Sequence, residues 1–258
     1  MGSIQQINFN NGSRYVGQVK CGVPHGQGVW FFSGGGFYEG TWRANKMHGR
    51  GIHHMPNGDR YEGEFRDDKK NGRGIIYLAN GGKYECEFKD GKKSGKGTAK
   101  FANGDSFAGN FHEDKCNGKG VYKYSNGNRY EGDWVNNKKH GFGVETLASG
   151  DRYEGDFVEG KKSGKGRYTF ADGGRYEGEF RDDKMKGRGV YCYAGGNRYE
   201  GNWDDGRQNG QGVFFWANGD RYAGEFRDDK PHGMGTLFKS DGQQIMGKWK
   251  DGEFSGDK

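Results

Sequence analysis

The sequence predicts an all-β fold, an elongated single-layer antiparallel sheet of consecutive β-hairpins twisted into a rod, and three observations predict it. The first is a period: the stretch Asp59 to Ile75, reading DRYEGEFRDDKKNGRGI, recurs every 23 residues without insertion or deletion. Tyr61 shares its column with Tyr15, Tyr38, Tyr84, Phe107, Tyr130, Tyr153, Tyr176, Tyr199, Tyr222 and Ile245. Gly follows two residues later in every register except at Cys86, and an aromatic two residues after that, with Val19 as the exception in the first register. A fixed period of this length marks a stacked repeat array and outranks local propensity. The second observation is alternation: Tyr61, Gly63 and Phe65 point one way while Arg60, Glu62, Glu64 and Arg66 point the other, the pattern of a half-buried strand. The third is turn chemistry, with Asn-Gly pairs at 57–58, 80–81, 103–104, 126–127 and 218–219. Such pairs favour tight hairpin turns because both central residues tolerate positive φ.

Composition read without the period would mislead. Only 30% of residues are hydrophobic and 53 of 258 are Gly, a balance usually associated with disorder. The aromatics, 15% of the chain and set at fixed offsets, supply the buried area instead. One elongated domain is expected, since each repeat can bury its apolar face only on its neighbours. No apolar run is long enough to span a bilayer, and no secretory signal is read at the N terminus. Cys21, Cys86, Cys116 and Cys192 fall at four different offsets, so reduced cytosolic thiols are expected.

Taken in order, residues 1–14 read as the back half of a repeat, because Ile7, Phe9 and Gly12 match Ile76, Leu78 and Gly81. They should form a capping strand. Residues 15–244 hold ten consecutive repeats, and 245–258 an incomplete C-terminal one. Each repeat should contain a strand from Arg60 to Arg66, a polar turn from Asp67 to Asn71, and a second strand of about seven residues from Gly72 to Leu78. At about 4.8 Å per strand the rod would be roughly 100 Å long. Asp251, Glu253, Asp257 and Lys258 would help protect the open edge.

Several columns invite a chemical reading. Gly72-Arg73-Gly74 and its equivalents suggest phosphate loops, but Gly91 to Thr98 misses the required spacing and no helix follows, so the glycines are read as packing positions. His25, His48, His140 and His232 share one offset, yet no Cys or carboxylate completes a metal set, and solvated turn residues are expected. Lys46, Lys69, Lys92, Lys115, Lys138, Lys161, Lys184, Arg207 and Lys230 form an unbroken basic column, the candidate edge for anionic lipid. An acidic column (Asp67, Asp90, Glu113, Glu159, Asp182, Asp205, Asp228) runs beside it, and 41 basic against 35 acidic residues leave a net charge of only +6. Solubilising charge is therefore the simpler account, and nucleic acid ranks lower as a partner.

The aromatic columns are the strongest pointer to function. A one-layer sheet cannot cover both its faces, so one aromatic row should line an open groove, where Tyr offers a rigid ring with a polar tip. The candidate partner-binding groove is Tyr38, Trp42, Tyr61, Phe65, Tyr84, Tyr130, Trp134, Tyr153, Tyr176, Tyr199, Trp203 and Tyr222. A uniform repeat offers no unique catalytic site, so no enzyme activity, metal or cofactor is expected.

Tyr130-Glu131-Gly132-Asp133-Trp134, followed by Lys138-Lys139-His140-Gly141-Phe142-Gly143, resembles the MORN (membrane occupation and recognition nexus) repeat, and the likeness covers nearly the whole chain. Val19, Cys86, Phe107 and Ile245 depart from the pattern. The resemblance implies a non-catalytic binding platform, a protein-interaction scaffold that holds a peptide, helix or protein in its groove. It also implies a cytoplasmic place in a cytoskeletal, ciliary or flagellar assembly. The alternative is a peripheral membrane adaptor that binds anionic phospholipids through the lysine edge. Myristoylation is a poor route, because Met1 to Gln6 lacks Ser or Thr at position six. A secreted carbohydrate-binding repeat ranks below both readings. A homodimer is left open, since pairing would cover exposed edges.

Overall fold

The structure is a computed structural model that describes residues 3–256. Met1 and Gly2, which open the expected cap and the acylation stretch, lie outside the described residues, as do the end charges Asp257 and Lys258. The described residues form 23 strands and no helix. Each repeat is a hairpin of a seven-residue strand such as Arg60–Arg66 and a nine-residue strand such as Lys69–Tyr77, and the pairings are antiparallel. Where sequence alone led to one domain, contacts group the chain into two compact units. One comprises residues up to Ser125 with Trp134–Asn137, the other Asn126–Asp133 with residues from Lys138 onward. The repeat itself marks no such boundary, because every register is built alike.

Strand Ile4–Asn8 pairs with Arg14–Lys20 and sets Ile7 opposite Tyr15, as Ile76 stands opposite Tyr84.

The turns exchange the roles that the sequence suggested. Asp67 and Asp68 form a two-residue turn between Arg66 and Lys69, with φ of 46° and 70°. Positive φ at both positions suits the twist of a hairpin, and Asp and Asn are among the residues that tolerate it. The second strand therefore starts at Lys69, not at Gly72. In the Asn-Gly connections only Gly adopts positive φ, as at Gly81 (90°), whose N–H donates to the Leu78 carbonyl (3.0 Å). The Asn instead caps the turn: Asn80 Oδ1 accepts the Gly82 N–H at 3.0 Å. Side chains at both turns also tie successive repeats together. Asp68 Oδ1 accepts the Met47 N–H and Asp59 Oδ1 the Ala79 N–H, each at 2.9 Å.

The G-x-G pair has two separate causes. Between Gly63 and Phe65 the register shifts at a bulge, and Gly72 sits in it at φ 76°. Gly74 stands opposite Gly63, and the Tyr61 ring lies across both. A Cβ at Gly74 would come within 2.3 Å of the tyrosine hydroxyl, and one at Gly63 within 2.4 Å. Only bare backbone admits a ring this close.

Candidate functional site

The tyrosine face is the core. Tyr38, Tyr61, Tyr130, Tyr176, Tyr199 and Tyr222 are 0% exposed and Tyr153 is 1% exposed. Trp42, Phe65, Trp134 and Trp203 are buried beside them. Each Tyr is gripped edge-on by two rings, Tyr61 by Phe65 at 5.1 Å and Phe88 at 5.0 Å, pairs each worth about 0.5–1.5 kcal/mol beyond burial. The hydroxyl is satisfied as well: Tyr61 donates to the Glu64 carbonyl at 3.0 Å and Tyr199 to that of Asn202 at 3.0 Å. Burial pushes these phenols well above their ordinary pKa. Tyr84 alone of the expected groove residues is half-buried.

Apart from Tyr84, these columns therefore hold the sheet together and present no ring surface to a partner. The expectation of an aromatic-lined groove fails for a physical reason: glycine pairs strip the Cβ layer, and the rings sink onto the backbone. Over them lies a half-buried tier that includes Ile76, Tyr122, Tyr168, Phe170, Tyr191 and Trp216. Rings within it pack at a tilt, Tyr191 on Tyr193 at 4.3 Å and 38° and Tyr168 on Phe170 at 4.5 Å and 46°.

Open space lies on the opposite face, where Glu62 and Glu64 alternate with the buried column. In the first unit a trough of about 1020 Å³ has a floor of Gly63, Gly74, Gly97, Gly109 and Cys86. Ile75 and Thr98, with Glu62 and Glu85, make one wall; Arg50, Glu64, Arg73, Glu87, Lys96, Asn110 and Lys119 make the other. The second unit carries a trough of about 930 Å³ over Gly189, Gly201, Gly212, Gly224 and Gly235. Its walls are Val190, Glu200, Val213, Ala223, Thr236 and Met246 against Arg188, Asn202, Gln211, Glu225 and Met234. Met234 is 49% and Met246 66% exposed, so this trough offers apolar surface to solvent. Sequence reasoning passed over these residues, although the alternation that buried Tyr61 and Gly63 already put their neighbours on the outer face.

The basic column is exposed beside the two-residue turns, and much of it is engaged by the acidic column one repeat on. Lys161 meets Asp182 at 2.9 Å, Arg207 meets Asp228 at 3.0 Å, Lys92 meets Glu113 at 3.4 Å, and Lys138 and Lys184 hold Glu159 and Asp205. Hydrogen bonds from Lys138, Lys161 and Lys184 keep the carboxyls of Glu159, Asp182 and Asp205 below their usual range. An edge of paired charges exerts far less pull on an anionic surface than a bare lysine row.

The histidines differ from expectation. His48, His140 and His232 are half-buried strand residues, not solvated turn residues, and their Nδ1 atoms are enclosed. Among the described residues no cluster of three or more His, Cys, Asp or Glu is placed to hold a metal. The four cysteines are free thiols.

Fold and troughs together define an all-β hairpin-repeat protein. The chain belongs to the MORN repeat family: the family model matches ten successive segments, 15–37, 38–60, 61–83, 84–106, 107–129, 130–152, 153–175, 176–198, 199–221 and 222–244. No curated protein matches the chain. Among solved structures it is similar to the TCP10 domain of Danio rerio CPAP, at TM-score 0.43 and 14% identity over 77% of this chain and 94% of that one. It is also similar to the Drosophila melanogaster SAS-4 TCP domain in complex with a proline-rich motif of Ana2, at TM-score 0.38 and 12% identity over 69% and 90%. Likenesses with TM-scores this low carry no argument about this chain's partners.

Proposed function

We propose that the protein is a non-catalytic interaction scaffold that holds a partner polypeptide in the troughs of its outer face, within a cytoplasmic cytoskeletal, ciliary or flagellar assembly. The observation that carries this reading is the pair of glycine-floored troughs, each crossing several repeats on the face opposite the tyrosines. Concave surface of this size with mixed apolar and charged walls suits a chain segment. The adaptor reading has less to draw on, because the lysine edge is largely paired with carboxylates.

Substituting Tyr130, Trp134 or Tyr153 would test folding, not binding, since these side chains are buried. The informative experiment places a photo-crosslinking residue at Thr98, at Val213 or at Lys69 in the full chain and irradiates it in its native cell. Adducts with a polypeptide from Thr98 or Val213, absent from Lys69, are expected; a self-adduct would identify a dimer. Adducts from Lys69 alone, together with salt-sensitive sedimentation on anionic vesicles, would sink the scaffold reading in favour of the membrane edge.

A further inference from the structure

We infer that copies of this chain add to one another edge to edge, the open side of strand Gln244–Lys250 in one copy taking strand Ile4–Asn8 of the next, so that the repeat continues across the junction. The two edges are complementary in phase. In a complete repeat the second strand has nine residues, as in Lys69–Tyr77. Strand Glu253–Gly256 stands eight periods after residues 69–72, and strand Ile4–Asn8 three periods before residues 73–77. One therefore fills the first four places of such a strand and the other the last five. Among the described residues Glu253–Gly256 pairs with Lys248, Trp249 and Lys250 alone, which leaves the same side of Gln244, Ile245, Met246 and Gly247 bare. The far side of Ile4–Asn8 is bare as well. In a complete repeat Arg60, Tyr61, Glu62 and Gly63 face Tyr77, Ile76, Ile75 and Gly74. The same register sets Gln244, Ile245, Met246 and Gly247 against Asn8, Ile7, Gln6 and Gln5 of the next copy.

The residues at this seam depart from the repeat in ways that suit it. Where the register of Arg60 has Arg-Tyr-Glu-Gly, the bare segment reads Gln-Ile-Met-Gly, and the strand it would receive reads Ile-Gln-Gln-Ile-Asn, so neither carries a charge. Sheet edges that stay free are commonly guarded by charged side chains or Pro. Ile4 (76%) and Met246 (66%) are the two most exposed large apolar side chains among the described residues. In this register they become diagonal neighbours on the outer face. Ile245 replaces the column tyrosine, and Gln5 replaces the glycine on which that ring lies. A Cβ at Gly74 would come within 2.3 Å of the Tyr61 hydroxyl, so a tyrosine and a side chain cannot share this place. Loss of the ring from one copy makes room for the side chain of the next. One contact is exchanged: Ser3 and Gly256 share a place in the period, so the Val19 N–H passes from the Ser3 carbonyl, at 3.3 Å, to that of Gly256 in the neighbouring copy.

Each copy carries both edges, so addition repeats, as at any heterologous contact. In sedimentation velocity on the full chain, the weight-average mass at about 100 μM should be at least about twice that at about 1 μM. Gln6 and Met246 are exposed and would face each other at the seam. Gln6→Lys with Met246→Lys sets like charges opposite and should weaken association about fivefold, whereas Gln6→Lys with Met246→Glu should restore it. An unchanged urea midpoint would show that each variant is folded. Direction is read by disulfide trapping: when chains with Gln6→Cys are mixed with chains with Met246→Cys, crosslinks between positions 6 and 246 should outnumber those joining 246 to 246. A mass independent of concentration, equal association of the two charge variants, or a majority of 246-to-246 crosslinks would overturn the inference. None of these results touches the adducts from Thr98 and Val213, on which the scaffold reading is judged separately.

Discussion

The two units share a backbone and differ in what they offer. Both troughs have glycine floors backed by tyrosines, and both are near 1000 Å³ (about 1020 and 930 Å³). In the first unit, wall residues 50, 73 and 96 are Arg, Arg and Lys; in the second, 188, 211 and 234 are Arg, Gln and Met. Where the first presents charge, the second presents methionine. The columns that build the sheet are constrained by packing, whereas the alternate positions face solvent and change at little cost to stability.

The largest expected effect tests whether the shared part is truly shared. Tyr61→Ala in the first unit and Tyr199→Ala in the second should each cost about 3–5 kcal/mol in urea unfolding, the range for large buried aromatics. Tyr84→Ala should cost roughly half as much. Cys86 takes the place of the glycine beneath its ring, and among the described residues its hydroxyl makes no bond like that of Tyr61. The ring turns edge-on to Phe101 at 6.0 Å and Phe111 at 6.4 Å, beside its buried cross-strand neighbour Ala99. Equal losses at all three tyrosines would show that the floor glycines do not set the packing.

A second contrast lies on the tyrosine face, where Ile76 of the first unit corresponds to Glu145 of the second. Burial pushes the Glu145 carboxyl up, but the hydrogen bond and charge of Lys139 and the charge of Lys162, at 3.2 Å, hold it below its ordinary value. A depressed folded pKa contributes stability above the unfolded carboxyl value near 4.3, and that stability disappears as pH falls through the folded value. Glu145→Gln should therefore destabilise by about 1–3 kcal/mol at neutral pH and progressively less in acid, as followed by urea midpoints between pH 7 and pH 3. A deficit that does not shrink in acid would remove the ion cluster as its cause.

Exchanging the walls should move binding but hardly stability. Arg73→Met with Lys96→Met should alter unfolding by less than about 0.5 kcal/mol while changing the salt dependence of binding at the first trough. An unchanged dependence in an anisotropy titration against ionic strength would show that Arg73 and Lys96 do not contribute to it. The smallest effect is chemical. Burial pushes the Cys86 thiol up to about 11, whereas Cys21 is exposed. Native protein should therefore alkylate at Cys21 and leave Cys86 unmodified until urea is added. Rapid native labelling of Cys86 would mean that the first trough's floor opens.

Much of this was legible beforehand. The period, the hairpin and the family follow from columns of Tyr, Gly and aromatic residues, because local alternation and repetition are written directly in one dimension. The turn types were misassigned, since Asp-Asp and Asn-Gly both suit tight turns and only register decides which pair spans two residues. The site was misassigned for a deeper reason. Sequence shows that Tyr61, Gly63 and Phe65 share a face, but not that a ring can lie flat on paired glycines and be sealed by its neighbours. Whether an aromatic stripe is core or groove depends on distances between strands that only the tertiary structure sets, and here those distances bury the rings and leave the troughs to Arg73, Ile75, Val213 and Met234.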